Sequence, residues 1–328
     1  MLREREARLQ AGHRGGRAVR IGTRGSALAL AQAQTVATAL GAELVVIHSE
    51  GDRTSAPLTS LGGAGVFAAA LREALLAGEV DAVVHSYKDL PTAPFAGLAV
   101  AAVPKRADAR DALCARDGLT LAALPDGARV GTGSPRRRAQ LLARRPALEV
   151  VELRGNVDTR LARVGADDAE RRLDAVVLAA AGLDRLGRLD AATELFGIDG
   201  WPTAPAQGAL AVETRVGDAK SVAKVDHTPS RLTAETERAV LAALEAGCSA
   251  PIGAHAILDD GLLFLSARVY ALDGGEQITS SHALYPEDSP DPARELAHRV
   301  ADELLASGAA GLAPLSASRD TPGPGGTE

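Results

Sequence analysis

The chain of 328 residues is mildly acidic, with 36 Lys+Arg against 42 Asp+Glu and a formal net charge of −6, which disfavours general binding to nucleic acid. No apolar run reaches the ~18 residues of a membrane span, and two cysteines are too few for a disulfide framework and fit a reducing cytosol. Aromatics make up only 2% of a chain long enough for about two or three domains, so its cores must be built from Ala, Val and Leu.

Residues 1–17 are polar, lack the apolar stretch of a secretory signal, and read as a disordered arm. A short strand over 18–22 leads through Thr-Arg-Gly-Ser into a helix over 27–40, and a second strand follows at 43–48. Residues 50–65 are polar and Gly-rich and read as a lid loop, with Gly62-Gly63-Ala64-Gly65 as hinge material. A helix over 66–77 precedes a buried strand, 81–85, that runs into Ser-Tyr-Lys-Asp-Leu-Pro. This β-α-β-α-β order predicts a parallel sheet with helices on its faces. Such sheets bind ligands at the carboxyl ends of their strands, and Arg24 and Asp89 both fall just past strand ends.

A second α/β unit begins near 108, with strands at 129–131, 148–151 and 174–178. Its helices are expected over 134–145, capped by Ser134 with Pro135 in the first turn, over 157–164 and over 179–186. Residues 208–214 read as a strand returning to the first unit. A small α+β unit follows, with a helix over 233–246, a Gly/Pro turn holding Cys248, strands at 254–258, 262–269 and 277–284, and a helix over 292–306. The expected division is an arm, 1–17; domain 1, 18–106 with about 203–226; domain 2, 107–202; domain 3, 227–313; and a disordered tail, 314–328. No internal sequence repeat is evident.

Only four of the basic residues are lysine (Lys88, Lys105, Lys220 and Lys224), so the placement of the arginines carries the information. Arg136, Arg137 and Arg138 occupy the first turns of a helix, where the dipole opposes cations by ~0.3–1 kcal/mol each. Arg154 and Arg160 flank a strand-to-helix turn, and Arg24 occupies the same kind of junction in domain 1. With Lys88 they predict a cleft for a ligand bearing several carboxylates or phosphates, which guanidinium forks bind bidentately. The competing reading is surface salt bridging.

Asp89 beside Lys88 reads either as a cap before Leu90-Pro91 or as a carboxylate stabilising a developing cation. Cys248 reads either as a packed small hydrophobe or as an attachment point presented by its turn. Cys114, inside the apolar run 111–115, reads as packing. The seven histidines are dispersed without metal-ligand spacing, so no metal site is expected.

Six segments together resemble the hydroxymethylbilane synthase (porphobilinogen deaminase) family: Ile21–Gln32, His85–Pro91, Gly131–Arg137, Leu153–Arg160, Pro205–Leu210 and the Cys248 turn, in the family's order over about 18–313. The resemblance implies two α/β domains like the lobes of a type II periplasmic binding protein, and a small C-terminal α+β domain. It implies a dipyrromethane cofactor joined to Cys248 by a thioether and made from the enzyme's own substrate or product. Four porphobilinogen molecules would be added with loss of ammonia, and linear hydroxymethylbilane released by hydrolysis, in tetrapyrrole and heme biosynthesis. Asp89 matches the catalytic aspartate, which handles pyrrole N–H groups and the cationic azafulvene left when the amine departs. Arg24, Arg136, Arg137, Arg154 and Arg160 match positions that bind carboxylate side chains. Ser86, Lys88, Thr132 and Ser134 line the same cleft, Gln32 and Gln207 lie near substrate, and Phe67 matches an aromatic at the lid end. A cytoplasmic monomer is implied, without nucleic acid or membrane partners.

One departure stands out. The family often has lysines before and within the Gly-Gly-x-Gly run, where this chain has Ser60 and Ala64, with Arg53 as a nearby substitute. This gives the rival reading its support: a non-catalytic, two-lobe carboxylate-binding protein.

Overall fold

The computed structural model describes residues 18–47, 65–247 and 250–315. Lobe 1 opens with β1 (Arg20–Thr23), α1 (Ala27–Leu40), β2 (Glu43–Val46), α2 (Gly65–Leu76), β3 (Ala82–Ser86) and β4 (Leu98–Ala102). Lobe 2 holds β5 (Asp111–Ala115), β6 (Arg129–Thr132), α3 (Pro135–Arg144), β7 (Glu149–Glu152), α4 (Val157–Leu161), β8 (Ala175–Ala179), α5 (Ala180–Arg185) and β9 (Glu194–Leu195). The chain then returns to lobe 1 for β10 (Leu210–Arg215). A third domain contains α6 (Thr228–Ala243), β11 (Ile252–Asp259), β12 (Leu262–Tyr270), β13 (Gln277–Leu284), α7 (Pro292–Ala306) and α8 (Ala309–Leu312).

The two five-stranded sheets follow one plan. Lobe 1 has the order β2-β1-β3-β10-β4 and lobe 2 the order β7-β6-β8-β5-β9. In each, three parallel strands are extended by one antiparallel strand that arrives from the other lobe, with a last strand beyond it. The three strands of the β-α-β-α-β order are parallel as expected, and the whole sheet is mixed. The cause is the crossover, because β10 and β5 each enter their sheet after the chain has travelled through a connection between lobes. The return strand read at 208–214 is β10, which pairs Val212 with Val84 of β3. The repeat that the sequence hides is present as topology: two α/β lobes with one strand order, plus an α+β domain.

Local signals explain the helix ends. Ser26 caps α1 by accepting a hydrogen bond from the Ala29 amide at 3.3 Å, and Gly41 ends it in the left-handed region at φ 64°. α6 starts at Thr228, five residues before the expected 233, because Pro229 occupies its first turn instead of breaking it. Strands β4, β5 and β9 were not anticipated as strands. Cys114 lies buried in β5, and burial pushes its thiol up to about 11, as suits a packed residue.

The cores match the composition. Ile21, Val36, Val84 and Val212 centre lobe 1, while Leu113, Val130 and Leu141 centre lobe 2 around the stacked rings of Phe196 and Trp201, 4.2 Å apart. Val240, Leu265, Val300 and Leu304 join α6 and α7 to one face of the third-domain sheet. Each such aliphatic side chain contributes ~1.5–3 kcal/mol by leaving water.

The two connections between lobes touch. The Ala107 amide donates to Gly208 O at 3.3 Å, and Gly208 is required there: at φ 88°, a Cβ would stand 2.6 Å from Ala107 O. Ala206 is also left-handed, at φ 62°, a conformation that costs a non-glycine residue about 1–2 kcal/mol. Its amide is held at 2.6 Å by Glu237 Oε2 of α6. This twisted turn aims Gln207 into the space between the lobes.

Candidate active site

Both lobes deliver their site residues from the carboxyl ends of parallel strands. β3 ends at Ser86 and continues into a 3-10 turn, Tyr87–Asp89. Gln32, on α1, donates from Nε2 to Ser86 Oγ at 2.7 Å, fixing the strand end to the helix face. Lys88 is half-buried and donates to Gln207 Oε1 at 3.1 Å. Asp89 closes the turn as an exposed carboxylate. Arg24, just past β1, is half-buried.

In lobe 2, β6 ends at Thr132, whose Oγ1 accepts from the Ser134 amide at 3.2 Å. Ser134 in turn caps α3 by accepting from the Arg137 amide at 3.4 Å. Gly133 allows this turn, since a Cβ would lie 2.7 Å from Leu153 O. Asn156 caps α4, which carries Arg160; its Nε donates to Gly155 O at 2.8 Å. Arg154 is exposed and donates to Glu152 at 2.9 Å.

The arginine triplet divides three ways, and only part of it fits the expected open cleft. Arg136 is 2% exposed: Nη1 donates to Gln140 Oε1 at 2.5 Å and Pro202 O at 3.0 Å, and Nη2 to Asp111 Oδ2 at 2.8 Å. The Nη atoms of Arg136 are thus engaged within the protein. The physical reason is Asp111, a fully buried carboxylate that requires cationic partners. Arg137 donates to Asp111 Oδ1 at 2.6 Å, Val177 O at 3.0 Å and Gln207 Oε1 at 3.3 Å. Arg138 turns outward and donates to Val150 O.

Asp111 also accepts from Trp201 Nε1 at 2.9 Å and Gln207 Nε2 at 2.7 Å. Burial alone would push its carboxyl up, but Arg136 and Arg137 pull it well below the usual carboxylate range. It therefore remains an anion that clamps the two guanidiniums, and through Gln207 it links them to Lys88.

Opposed to these anions is an excess of cations. Burial pushes Lys88 down to about 8, Arg137 and Arg136 add to the push, and Asp89 and Asp111 oppose it. Burial likewise lowers Arg160, with Arg137 and Arg154 adding and Asp89 opposing. Lys88 and Asp89 come from lobe 1, Arg137 and Arg160 from lobe 2, and each feels the other's field. The structure thus brings these four into one site, with Thr132, Ser134, Ser86, Gln32 and Gln207 around them. The Nε groups of Arg136 and Arg137 are buried without a hydrogen-bond partner among the described residues.

Several expected residues stand apart or lie outside the described ones. Phe67 falls in the first turn of α2. The lid segment before Gly65, with Arg53, Ser60 and Ala64, and also Cys248 and Ser249, lie outside the described residues. The flanks of Cys248 are described: the Tyr270 amide donates to Pro251 O at 3.0 Å, and Tyr270 OH accepts from Gln140 Nε2 at 2.9 Å. Pro251 is thus linked through Tyr270 and Gln140 to the network around Arg136.

Residues that the sequence did not single out hold the parts together. Glu237 is fully buried and accepts from both Nη atoms of Arg106, at 2.6 and 2.8 Å, and from the Ala256 amide of β11 at 2.9 Å. Burial alone would push Glu237 up, but Arg106 and His255 hold it down, to about 2. Beside it on α6, Arg238 reaches the turn that bears Asp89. A charged pair in a helix reads as a solvated face, but these two fall on the stripe of Ala234, Val240 and Leu241, which was the available signal.

Fold and site together define a two-lobed α/β protein with a cationic site between the lobes and a third domain fastened to both. A family model described as porphobilinogen deaminase, dipyromethane cofactor binding domain, matches residues 19–223, and one described as porphobilinogen deaminase, C-terminal domain, matches residues 231–306. The porphobilinogen deaminase of Leifsonia xyli subsp. xyli is 59% identical over 320 residues, covering 92% of this chain and 96% of the relative. The enzymes of that name from Mycobacterium tuberculosis and Thermobifida fusca are 54% and 51% identical, each covering 89% of this chain and 97% of the relative. This chain belongs to the porphobilinogen deaminase family.

Proposed function

We propose that the protein is a transferase that joins four porphobilinogen molecules, with loss of four ammonia molecules, and releases linear hydroxymethylbilane by hydrolysis. The observation that carries the residue assignment is the meeting of Lys88 from one lobe with Arg137 from the other on Gln207 Oε1, at 3.1 and 3.3 Å. Each substrate brings an acetate and a propionate, so a growing chain accumulates the negative charge that this site lacks.

A dipyrromethane fits the residues present. Its carboxylates suit a site with surplus cations and two buried guanidinium Nε groups that lack partners among the described residues. Lys88, Arg137 and Arg160 would hold those carboxylates, supported by Ser86, Thr132 and Ser134, with Arg136 bracing Arg137 through Asp111. Cys248 would tether the group by a thioether. When bound, the dipyrromethane supplies the pyrrole terminus to which substrate units are joined.

Asp89 is assigned the chemistry. As the substrate's C–N bond breaks, ammonia leaves with the electron pair, and the carbon left behind shares a positive charge with the pyrrole ring. The carboxylate of Asp89 accepts the ring N–H and stabilises that charge. Arg24 and Arg154 bind the incoming substrate's carboxylates, with Gln32, Gln207 and Phe67 nearby.

The family match across the lobes and the third domain sets aside the rival reading of a non-catalytic carboxylate-binding protein. The proposal extends to a monomer acting in the cytoplasm, without nucleic acid or membrane; the unpaired Cys114 thiol fits a reducing compartment. Intact-protein mass spectrometry tests it. The protein is expected to exceed its sequence mass by two pyrrole units, and Cys248→Ala to lack the excess and the activity. A wild-type protein that stays unmodified after exposure to porphobilinogen would sink the proposal.

A further inference from the structure

We infer that Arg238 is a positioning residue: its guanidinium, reaching in from the third domain, sets the turn that carries Lys88 and Asp89. Nη1 donates to Tyr87 O and to Leu90 O, both at 2.8 Å, and Nη2 donates to Pro91 O at 2.8 Å. The three carbonyls bracket Lys88 and Asp89. The guanidinium also lies over the Tyr87 ring, 4.5 Å from its centroid, and Arg238 is 7% exposed.

Other bonds on the turn are few. The Leu90 amide donates to Tyr87 O at 3.3 Å, and the Tyr87 amide to Ala209 O at 3.0 Å. Lys88 Nζ donates to Gln207 Oε1 at 3.1 Å, and Tyr87 and Leu90 pack in a buried apolar cluster. Without the guanidinium, the Leu90 and Pro91 carbonyls lose this donor, and the far side of the turn keeps that packing and its own weak 3-10 closure. Arg238 neighbours Glu237, which grips the connection between lobes, so consecutive residues of α6 clamp both that connection and the catalytic turn. One helix therefore fixes the carboxylate of lobe 1 relative to the connection between the lobes. This inference rests on the role proposed for Asp89.

Arg238→Lys is the informative variant, because an ammonium keeps the charge but cannot span three carbonyls as a planar fork does. The expected result is a kcat lower by about tenfold or more, with KM within about twofold, since misplacing a reacting group taxes turnover more than binding. The variant should keep the wild-type adduct mass. Hydrogen exchange of the peptide over 86–91 should quicken by about tenfold.

Exchange and kcat both unchanged in folded Arg238→Lys would overturn the inference, as would a raised KM with unchanged kcat. If Arg238→Lys does not fold, Tyr87→Leu removes the ring beneath the guanidinium and should show the same changes at smaller size; wild-type behaviour there overturns the inference. A wild-type protein that releases no ammonia from porphobilinogen would sink the function instead, and the exchange result would still decide whether Arg238 holds the turn.

Discussion

The two lobes share a strand order and differ in what their strand ends carry. Lobe 1 ends β3 in a turn with one lysine and one exposed carboxylate, Lys88 and Asp89. Lobe 2 ends β6 and β7 in arginines: Arg136 and Arg137 clamped on buried Asp111, then Arg154 and Arg160 at the rim. One scaffold thus serves two tasks. On the proposed assignment, lobe 1 supplies the group that acts on the substrate, and lobe 2 supplies fixed charge. The comparison also shows that arginine count is a poor guide to ligand binding, since the most buried guanidiniums answer to the protein's own carboxylate.

The division between lobes can be broken by experiment. Asp89→Asn should lower kcat by ~10²–10⁴-fold, about 3–5 kcal/mol of barrier, while leaving KM and the adduct mass near wild type. Steady-state ammonia release measures this, and a loss under about fivefold would remove lobe 1's claim to the chemistry. Asp111→Asn should act first on stability. It leaves two buried guanidiniums without their anion, at a cost of about 3 kcal/mol or more, read from the urea midpoint. An unchanged midpoint would mean that Arg136 and Arg137 do not depend on it.

The joint between lobes and third domain should show itself in acid. Glu237 is held at about 2 against an ordinary 4.5, so its stabilisation is full above about pH 4.5 and is lost as pH falls toward 2. Glu237→Gln should be less stable by roughly 3 kcal/mol at neutral pH, and the gap should close in acid. A gap that is independent of pH would contradict the ion pair with Arg106. The smallest effect belongs to the rim. Arg154→Ala breaks an exposed pair with Glu152 and should change stability by less than about 1 kcal/mol. It should raise KM for porphobilinogen by about fivefold with kcat preserved, and a lowered kcat instead would move Arg154 from binding to chemistry.

How legible this was depended on distance along the chain. The helices over 27–40 and 292–306 carry their own caps, Ser26 with Gly41 and Asp291 with Pro292, and their observed ends match the reading. The segment Asp111–Ala115 has no such local mark. It is a strand because β8 and β9 flank it, from sixty or more positions onward. The fate of Pro-Arg-Arg-Arg was equally hidden: which guanidinium turns inward is decided by Asp111, on another strand. That Arg24, Lys88 and Asp89 sit just past strand ends was legible in the pattern of strands and helices, because strand ends face one edge in this class of sheet.

The placement of β10 has a consequence for how the chain is made. Every strand of lobe 2 lies within one unbroken stretch, from Asp111 to Leu195. Lobe 1 must wait for Leu210–Arg215, which fills the gap between β3 and β4. On the ribosome, the lobe translated first therefore completes its sheet last, and until then β3 and β4 expose unpaired edges. The turn that carries Lys88 and Asp89 is at the end of one of those edges. Its register is set only when the return strand docks, after most of the polypeptide has been synthesised.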